Sequence, residues 1–474
     1  MSTIGQGVSK PGLVLAGLGY FAILSVALVW WHLPPEIVLA LSVGGIGLVV
    51  LSMRPYLGVH VFIMTLFVEN AFGSGAGITP MKAIGIVVLG SWLVNMGIQR
   101  KTGFKFDKFV IVLILFLTWC GITLVFAVET WDALSRVFTY TQLALATLMF
   151  SSVVDTPGRM RRVYWSFVIW VTVSTLLAVV MYYLGMTPHA RGLVGNRNLL
   201  AVYINLAIVC AYLLHQETRD GARRMVLLTC LPVLFLGLAL TFSRMGLIVL
   251  GLALVLVWYR AARQRKFLVL GASIGMMCVL TFILPATFWQ RAESIVPAIR
   301  KQQDTFGSRV RLWGVALRMV EDRPIVGVGP GNFVAAYPRY ARGGDQYLQN
   351  LVTHSTYMSM AAETGALGLG LFLVMSGLAL RDARRAVLTG RTSARPEIEN
   401  FGVVAEVCLL AILMAGVSGN WEGQKCLWLF YGLAVAMGRM ADRVTTGERL
   451  ASARIRPAIP VDGLGPWVPA RPRQ

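Results

Sequence analysis

Runs of apolar residues separated by short polar or basic stretches recur along the chain. They fall at 12–31, 37–53, 57–70, 80–98, 109–128, 133–154, 163–184, 198–214, 224–241, 245–259, 267–284, 355–380, 401–419 and 425–438. Most approach or exceed the roughly 17–25 residues that an α-helix needs to cross a bilayer. The pattern predicts an all-α polytopic membrane protein with about 14 (12–14) transmembrane helices. Runs 57–70, 245–259 and 425–438 are short, which leaves tilt, re-entry or merging open for them. The alternating apolar-polar period of a membrane β-barrel does not occur.

Loop charge then orients the bundle. Arg54; Arg100, Lys101, Lys105 and Lys108; Arg159, Arg161 and Arg162; Arg219, Arg223 and Arg224; Arg260, Arg263, Arg265 and Lys266; and Arg381, Arg384, Arg385, Arg391 and Arg395 occupy every second loop. Basic loops stay in the cytosol, so these predict one cytosolic face with both termini on it. The opposite face carries short links (32–36, 72–79, 129–132, 420–423) and two larger pieces, 185–197 and about 285–354. Arg191, Arg197, Arg244 and the basic stretch from Arg291 to Arg342 fall on that face, where topogenic charge does not explain them.

Three regions follow from this reading: N-terminal spans at 1–190, a region at 191–440 with the large periplasmic loop at 285–354, and a cytosolic tail at 441–474. The tail is rich in Arg, Pro and small residues and reads as disordered. Within the loop, Val310, Trp313, Leu317 and Val320 recur at helical spacing, predicting an amphipathic helix on the outer leaflet. It ends at Arg323-Pro324, and Gly327-Val328-Gly329-Pro330-Gly331 forms a sharp turn. No soluble strand-turn-helix unit surrounds those glycines, so a nucleotide-binding loop is excluded.

Composition changes little. The 474 residues are 56% hydrophobic and 14% charged, against about 25% charged in soluble proteins. The net charge of +21 resides mostly in cytosolic loops and tail, and no aromatic-basic platform or zinc motif supports nucleic-acid binding. Cys120, Cys210, Cys230, Cys278, Cys408 and Cys426 stand singly in apolar spans and read as packing residues. The first run follows Lys10, exceeds a signal-peptide core and leads into His32-Leu33-Pro34-Pro35, so it reads as an uncleaved span.

The candidate chemistry clusters on the outer face. In Arg191-Gly192-Leu193-Val194-Gly195-Asn196-Arg197-Asn198, glycines allow close backbone approach, and Asn196 or Asn198 suits a helix cap whose free N–H groups attract anions. Headgroup snorkelling is the alternative. Arg244 follows Thr241-Phe242-Ser243 in a very short link. A charge near hydrocarbon costs about 3 kcal/mol on insertion scales, so it either snorkels or serves a function. His354 opens the span at 355–380. The helix end and nearby arginines disfavour imidazolium, leaving a neutral ring able to accept a proton; a packing or capping residue is the alternative. Glu363 lies nine residues further on, roughly 13 Å deeper, and needs a partner there, either in a structural ion pair or in a polar contact to an unwound segment. No Asp-x-Asp pair, Gly-x-Ser-x-Gly elbow or His-Glu-x-x-His helix accompanies these residues. The sequence therefore offers neither a metal-held nucleotide sugar nor hydrolase chemistry.

Four segments resemble the bacterial O-antigen ligases and the related O-antigen and exopolysaccharide polymerases. They are the 191–198 loop, Thr241-Phe242-Ser243-Arg244, Arg309-Val310-Arg311-Leu312-Trp313 running to Pro324, Gly327, Gly329 and Asn332-Phe333, and His354-Ser355-Thr356-Tyr357 running to Glu363-Thr364-Gly365. Two departures are Arg197, where the family usually has Pro, and Ser355, where Asn is commoner. The resemblance implies a type-C glycosyltransferase-like helical bundle in the inner membrane. It also implies metal-independent, cofactor-free transfer of a glycan from undecaprenyl diphosphate at the periplasmic face. Arg191 and Arg244, with Arg197 and Asn198, would hold the diphosphate, and His354 would orient or deprotonate the attacking hydroxyl. Arg309, Arg311, Tyr357 and Glu363 would shape or support the acceptor side. The acceptor would be lipid A–core, a growing polysaccharide or a protein hydroxyl. A secondary transporter or flippase is the competing class; it predicts internal repeats and broken helices with charges at mid-membrane, whereas the sequence has no convincing repeat and its notable charges crowd one surface.

Overall fold

A computed structural model describes residues 54–68, 80–99, 106–260, 305–343 and 350–455, with a few isolated positions elsewhere. The runs at 12–31, 37–53 and 267–284, the loop before residue 305 and the tail beyond residue 455 lie outside the described residues, as does Cys278.

Every described element is helical. In chain order these are α1 (Pro55–Val68), α2 (Pro80–Gln99), α3 (Lys108–Ile122), α4 (Thr130–Val153), α5 (Pro157–Tyr183), α6 (Arg197–Glu217), α7 (Gly221–Leu240), α8 (Arg244–Arg260), α9 (Thr305–Asp322), α10 (Phe333–Tyr340), α11 (Thr356–Thr392), α12 (Pro396–Ala415) and α13 (Lys425–Ile455). Short 3-10 turns follow α3 and precede α6. Local signals set the ends. Asp107 caps α3, Thr156 caps α5 ahead of Pro157, Asp220 caps α7 and Ser355 caps α11, each accepting from a first-turn N–H.

Among the described residues, six helices are long and apolar enough to cross a membrane: Lys108–Phe126, Pro157–Tyr183, Arg197–Glu217, Gly221–Leu240, Thr356–Thr392 and Pro396–Ala415. Pro55–Phe67 and Ile84–Met96 are shorter apolar helices. The expected count of about fourteen is larger than this set. The chain is nevertheless a multi-pass membrane protein whose described elements are all helical. Its lipid-facing surface carries exposed Ile111, Leu115, Val173, Leu176, Ile248 and Val255.

At the centre, α11 packs along α12 and α13, α13 lies against α4, and α5, α6 and α7 form an adjoining group that α12 and α8 join. Basic and acidic residues from alternate links meet at one end. Arg161 pairs with Glu397 at 2.7 Å, Arg260 with Glu406 at 2.6 Å and Arg391 with Glu399 at 2.6 Å. Arg439 pairs with Asp107 at 2.8 Å. The links expected on the other face meet at the opposite end: Ala190 N–H bonds the Leu240 carbonyl, and Val128 N–H bonds that of Val328. The alternation read from loop charge thus has a direct geometric counterpart.

Two expectations need correction. The tail does not begin at 441, because α13 stays helical through Ile455. Met440 and Ala441 are buried, and the guanidinium of Arg439 donates to Asp107 Oδ2 and to the Ser151 carbonyl and hydroxyl. Buried packing and a bonded charge carry the helix past the end of its apolar run. The second correction concerns α9. It is amphipathic, but it buries Leu312, Val315, Ala316 and Met319 with Val328, Phe333, Tyr337 and Leu348. Val310 and Leu317 stay exposed. Of the expected stripe, Trp313 and Val320 are half-buried, Val320 against this cluster, so protein packing takes part of that face.

Candidate functional site

The 190–198 segment and the 241–244 turn form one structure. Gly192 and Gly195 both have positive φ. A Cβ on Gly192 would sit 3.1 Å from the Ser174 carbonyl oxygen and from the Ala178 Cβ, so glycine lets this turn press on α5. Asn196 is the residue that caps α6, its Oδ1 accepting from Asn198 N–H and Leu199 N–H. Arg197 then holds the first helical position, where proline's fixed φ is also well suited.

Asn198 is left to face the next element: Ser243 Oγ donates to Asn198 Oδ1 at 2.7 Å and accepts from Gly246 N–H at 3.1 Å. One hydroxyl thereby caps α8 and ties it to α6, with Arg244 at the start of α8. Phe242 holds φ +50 in the same turn, a conformation rare for a bulky residue and imposed by its surroundings. Arg191 is exposed, and Arg197 and Arg244 are half-buried.

His354 is fixed with equal care. Its φ is +51, held by bonds on either side. Thr353 Oγ1 donates to the Ser355 carbonyl and accepts from Ser355 N–H, and Asn420 Nδ2 donates to Thr353 Oγ1. From α9, Trp313 Nε1 donates to the Thr353 carbonyl at 3.0 Å. Arg309, one turn earlier on that helix, adds positive charge beside the ring. Burial first, and Arg309 second, pull the His354 pKa below its ordinary value. Burial also lowers that of Arg309, whose Nε is buried without a hydrogen-bond partner. Arg311 is half-buried on the same helix.

Tyr357 and Glu363 support the helix that His354 precedes. Tyr357 Oη donates to the Leu413 carbonyl at 2.7 Å, joining α11 to α12. Glu363 is buried, and its Oε2 accepts from Gly331 N–H at 2.7 Å. The reason for that bond is a break in α11. Gly365 adopts φ 70 and ψ −177 inside the helix, freeing nearby carbonyls. Val328 N–H bonds the Ala362 carbonyl, Gly329 N–H that of Glu363, and Ala366 N–H the Pro324 carbonyl. The Gly327–Gly331 turn is thus a plug seated in a broken helix.

One residue links α6 to the start of α11. Trp421 lies edge-on to Tyr203 of α6 with ring centroids 6.3 Å apart, and its N–H donates to Thr356 Oγ1, two residues past His354. The arginine-bearing elements and the histidine turn therefore pack at the same end of the bundle. Sequence reasoning missed Arg136 and Glu422, which flank a cavity beside Thr353. An arginine just inside the apolar run expected at 133–154 was the available signal. Among the described residues, no group of three or more His, Cys, Asp or Glu side chains could hold a metal ion.

Fold and site together define a multi-pass helical membrane protein with a motif-bearing polar end. Residues 225–373 match the family model described as O-Antigen ligase, and the chain is O-antigen ligase-like over that segment. The match spans Ser243-Arg244, α9, the Gly327–Gly331 turn and His354 through Gly365; the 191–198 segment precedes it. No curated protein matches the chain.

Proposed function

We propose that this protein is a glycosyltransferase of the O-antigen ligase/polymerase type, embedded in the bacterial inner membrane as a type-C-like bundle of about fourteen spans. It moves a glycan from undecaprenyl diphosphate to a hydroxyl on lipid A–core or a growing polysaccharide. Both termini are cytosolic and the reacting end is periplasmic. The observation that best supports this reading is the Ser243–Asn198 bond, which joins the element bearing Arg191 and Arg197 to the one bearing Arg244.

The acceptor oxygen attacks the anomeric carbon of the glycan as its bond to the diphosphate oxygen breaks. The acceptor proton passes to the neutral imidazole of His354. The polyprenyl diphosphate leaves with the bonding pair, and its added charge is held by Arg191 and Arg244, whose planar guanidinium groups suit phosphate oxygens. Arg197 and Asn198 line the same grip. Arg309 keeps the imidazole unprotonated before attack, Arg311 lies on the acceptor side, and Tyr357 and Glu363 hold α11 in place. The test is transfer by purified protein from a synthetic polyprenyl-diphosphate oligosaccharide to a defined hydroxyl acceptor. Product from wild type is expected; a purified, folded protein that moves no glycan across a panel of acceptors would sink the reading.

A further inference from the structure

A second polar site lies beside His354. A cavity of about 210 Å³ is lined by Arg136, Thr353, Ser359, Glu363, Asn420 and Glu422, among others. That volume is several times what one water needs. Val352 and Thr353, immediately before His354, form part of its wall.

Two of its acceptor atoms lack a direct hydrogen-bond partner. Glu422 is 3% exposed. Its Oε1 accepts from Asn420 Nδ2 at 3.2 Å, but its Oε2 is buried with no hydrogen-bond partner, as is Asn420 Oδ1. A buried acceptor left open is costly, and a charged one more so. Arg136 reaches in from α4 between Gly331 and Gly423: a Cβ on Gly423 would lie 2.8 Å from its Nη1, and one on Gly331 3.1 Å from its Cβ. It feels the charges of Glu363 and Glu422, yet no ion pair within 4.0 Å joins them among the described residues. Such gaps are filled by a bridging group.

The chemistry of the wall selects that group. A guanidinium in the cavity opposes a metal cation, and two carboxylates oppose an anion. A neutral group that both donates and accepts satisfies all of them, and sugar hydroxyls do so. We propose that this cavity binds the hydroxyls of a sugar ring, donating to Glu422 Oε2 and Asn420 Oδ1 and accepting from Arg136. It rests on the transferase reading above and makes these residues determinants of which sugar is presented next to His354.

The test uses saturation-transfer NMR on the full chain in lipid nanodiscs, free of sugar detergents, with methyl gluco-, galacto- and mannopyranosides as probes. At least one glycoside should receive saturation from wild type and from His354→Ala. Glu422→Gln, which turns an acceptor into a donor, should lose the signal at least tenfold. Val352→Trp, at a wall position that is 42% exposed, should plug the cavity and lose it too, and it serves if Glu422→Gln does not fold. No signal from any glycoside in wild type, or an unchanged signal in both variants, overturns the proposal. In transfer assays, a raised KM for the acceptor alone assigns the sugar to the acceptor, and a raised KM for the donor alone assigns it to the donor. Glycoside binding in a protein that transfers nothing would sink the transferase reading and leave the cavity's ligand standing.

Discussion

Replacing Gly365 with alanine tests whether the broken helix positions the site. The added Cβ would sit 1.9 Å from the Ile325 carbonyl oxygen, a contact that cannot be kept. At φ 70 and ψ −177 the residue also occupies a region essentially restricted to glycine, so a side chain costs about 1–3 kcal/mol before any clash. Relieving the clash means withdrawing the 324–331 turn. That breaks the Val328–Ala362, Gly329–Glu363 and Ala366–Pro324 backbone bonds, at about 1 kcal/mol each. The sum is about 4–6 kcal/mol of local stability. The lost bonds alone correspond to roughly a hundredfold faster hydrogen exchange at the amides of Val328, Gly329 and Ala366. Exchange read by mass spectrometry should show that acceleration confined to this turn and its neighbours, with α5, α6 and α7 unchanged. Transfer activity should fall with it, because the turn also donates to Glu363. Wild-type protection in a folded Gly365→Ala protein would refute the claim that a docked plug holds α11 open.

Further outcomes follow from other parts of the structure. If neutral His354 accepts the proton, activity should rise with pH through a value below the usual histidine pKa and be level at neutrality. Arg309→Ala removes a positive charge that disfavours imidazolium, so the acidic limb of a kcat/KM profile should move to higher pH; an unmoved limb would remove Arg309 from the account. Chelator should leave transfer intact, because arginines take the leaving group's charge, and restoration of a lost activity by a divalent ion would contradict that assignment. Arg439→Ala removes the ion pair to Asp107 and the bonds to Ser151 and should destabilise the folded protein by about 1–3 kcal/mol in thermal unfolding, with a negligible shift contradicting the packing of α13.

Much of the fold was legible because its signals are local. Asp107, Thr156 and Asp220 mark helix starts, and the apolar runs between basic links give helices close to their expected positions. Among the described links, Arg161, Arg260 and Arg391 do meet acidic partners on α12, as residues sorted to one end by loop charge would. What escaped was set by tertiary contacts. The buried face of α9 depends on what α11 and α10 present to it, which the spacing of Val310, Trp313 and Leu317 does not encode. The extension of α13 depends on Asp107, more than three hundred residues away. In the site, Asn196 and Ser243 carry recognisable cap chemistry, and His354 stood out by position. Arg136 and Glu422 did not, because a lone arginine near a helix end and a glutamate in a four-residue link look like ordinary interfacial charge until the fold brings them around one cavity. The break at Gly365 was hidden for a similar reason: glycine is common in membrane helices, and only the docked turn distinguishes this one.

Donor binding measured separately from transfer is the most direct test of a site that divides its work between arginines and a histidine. With a fluorescent polyprenyl-diphosphate oligosaccharide, Arg191→Ala and Arg244→Ala should each weaken binding and lose transfer. His354→Ala should bind the donor as wild type does and transfer nothing. Wild-type transfer by His354→Ala, or undiminished donor binding by both arginine variants, would contradict the account.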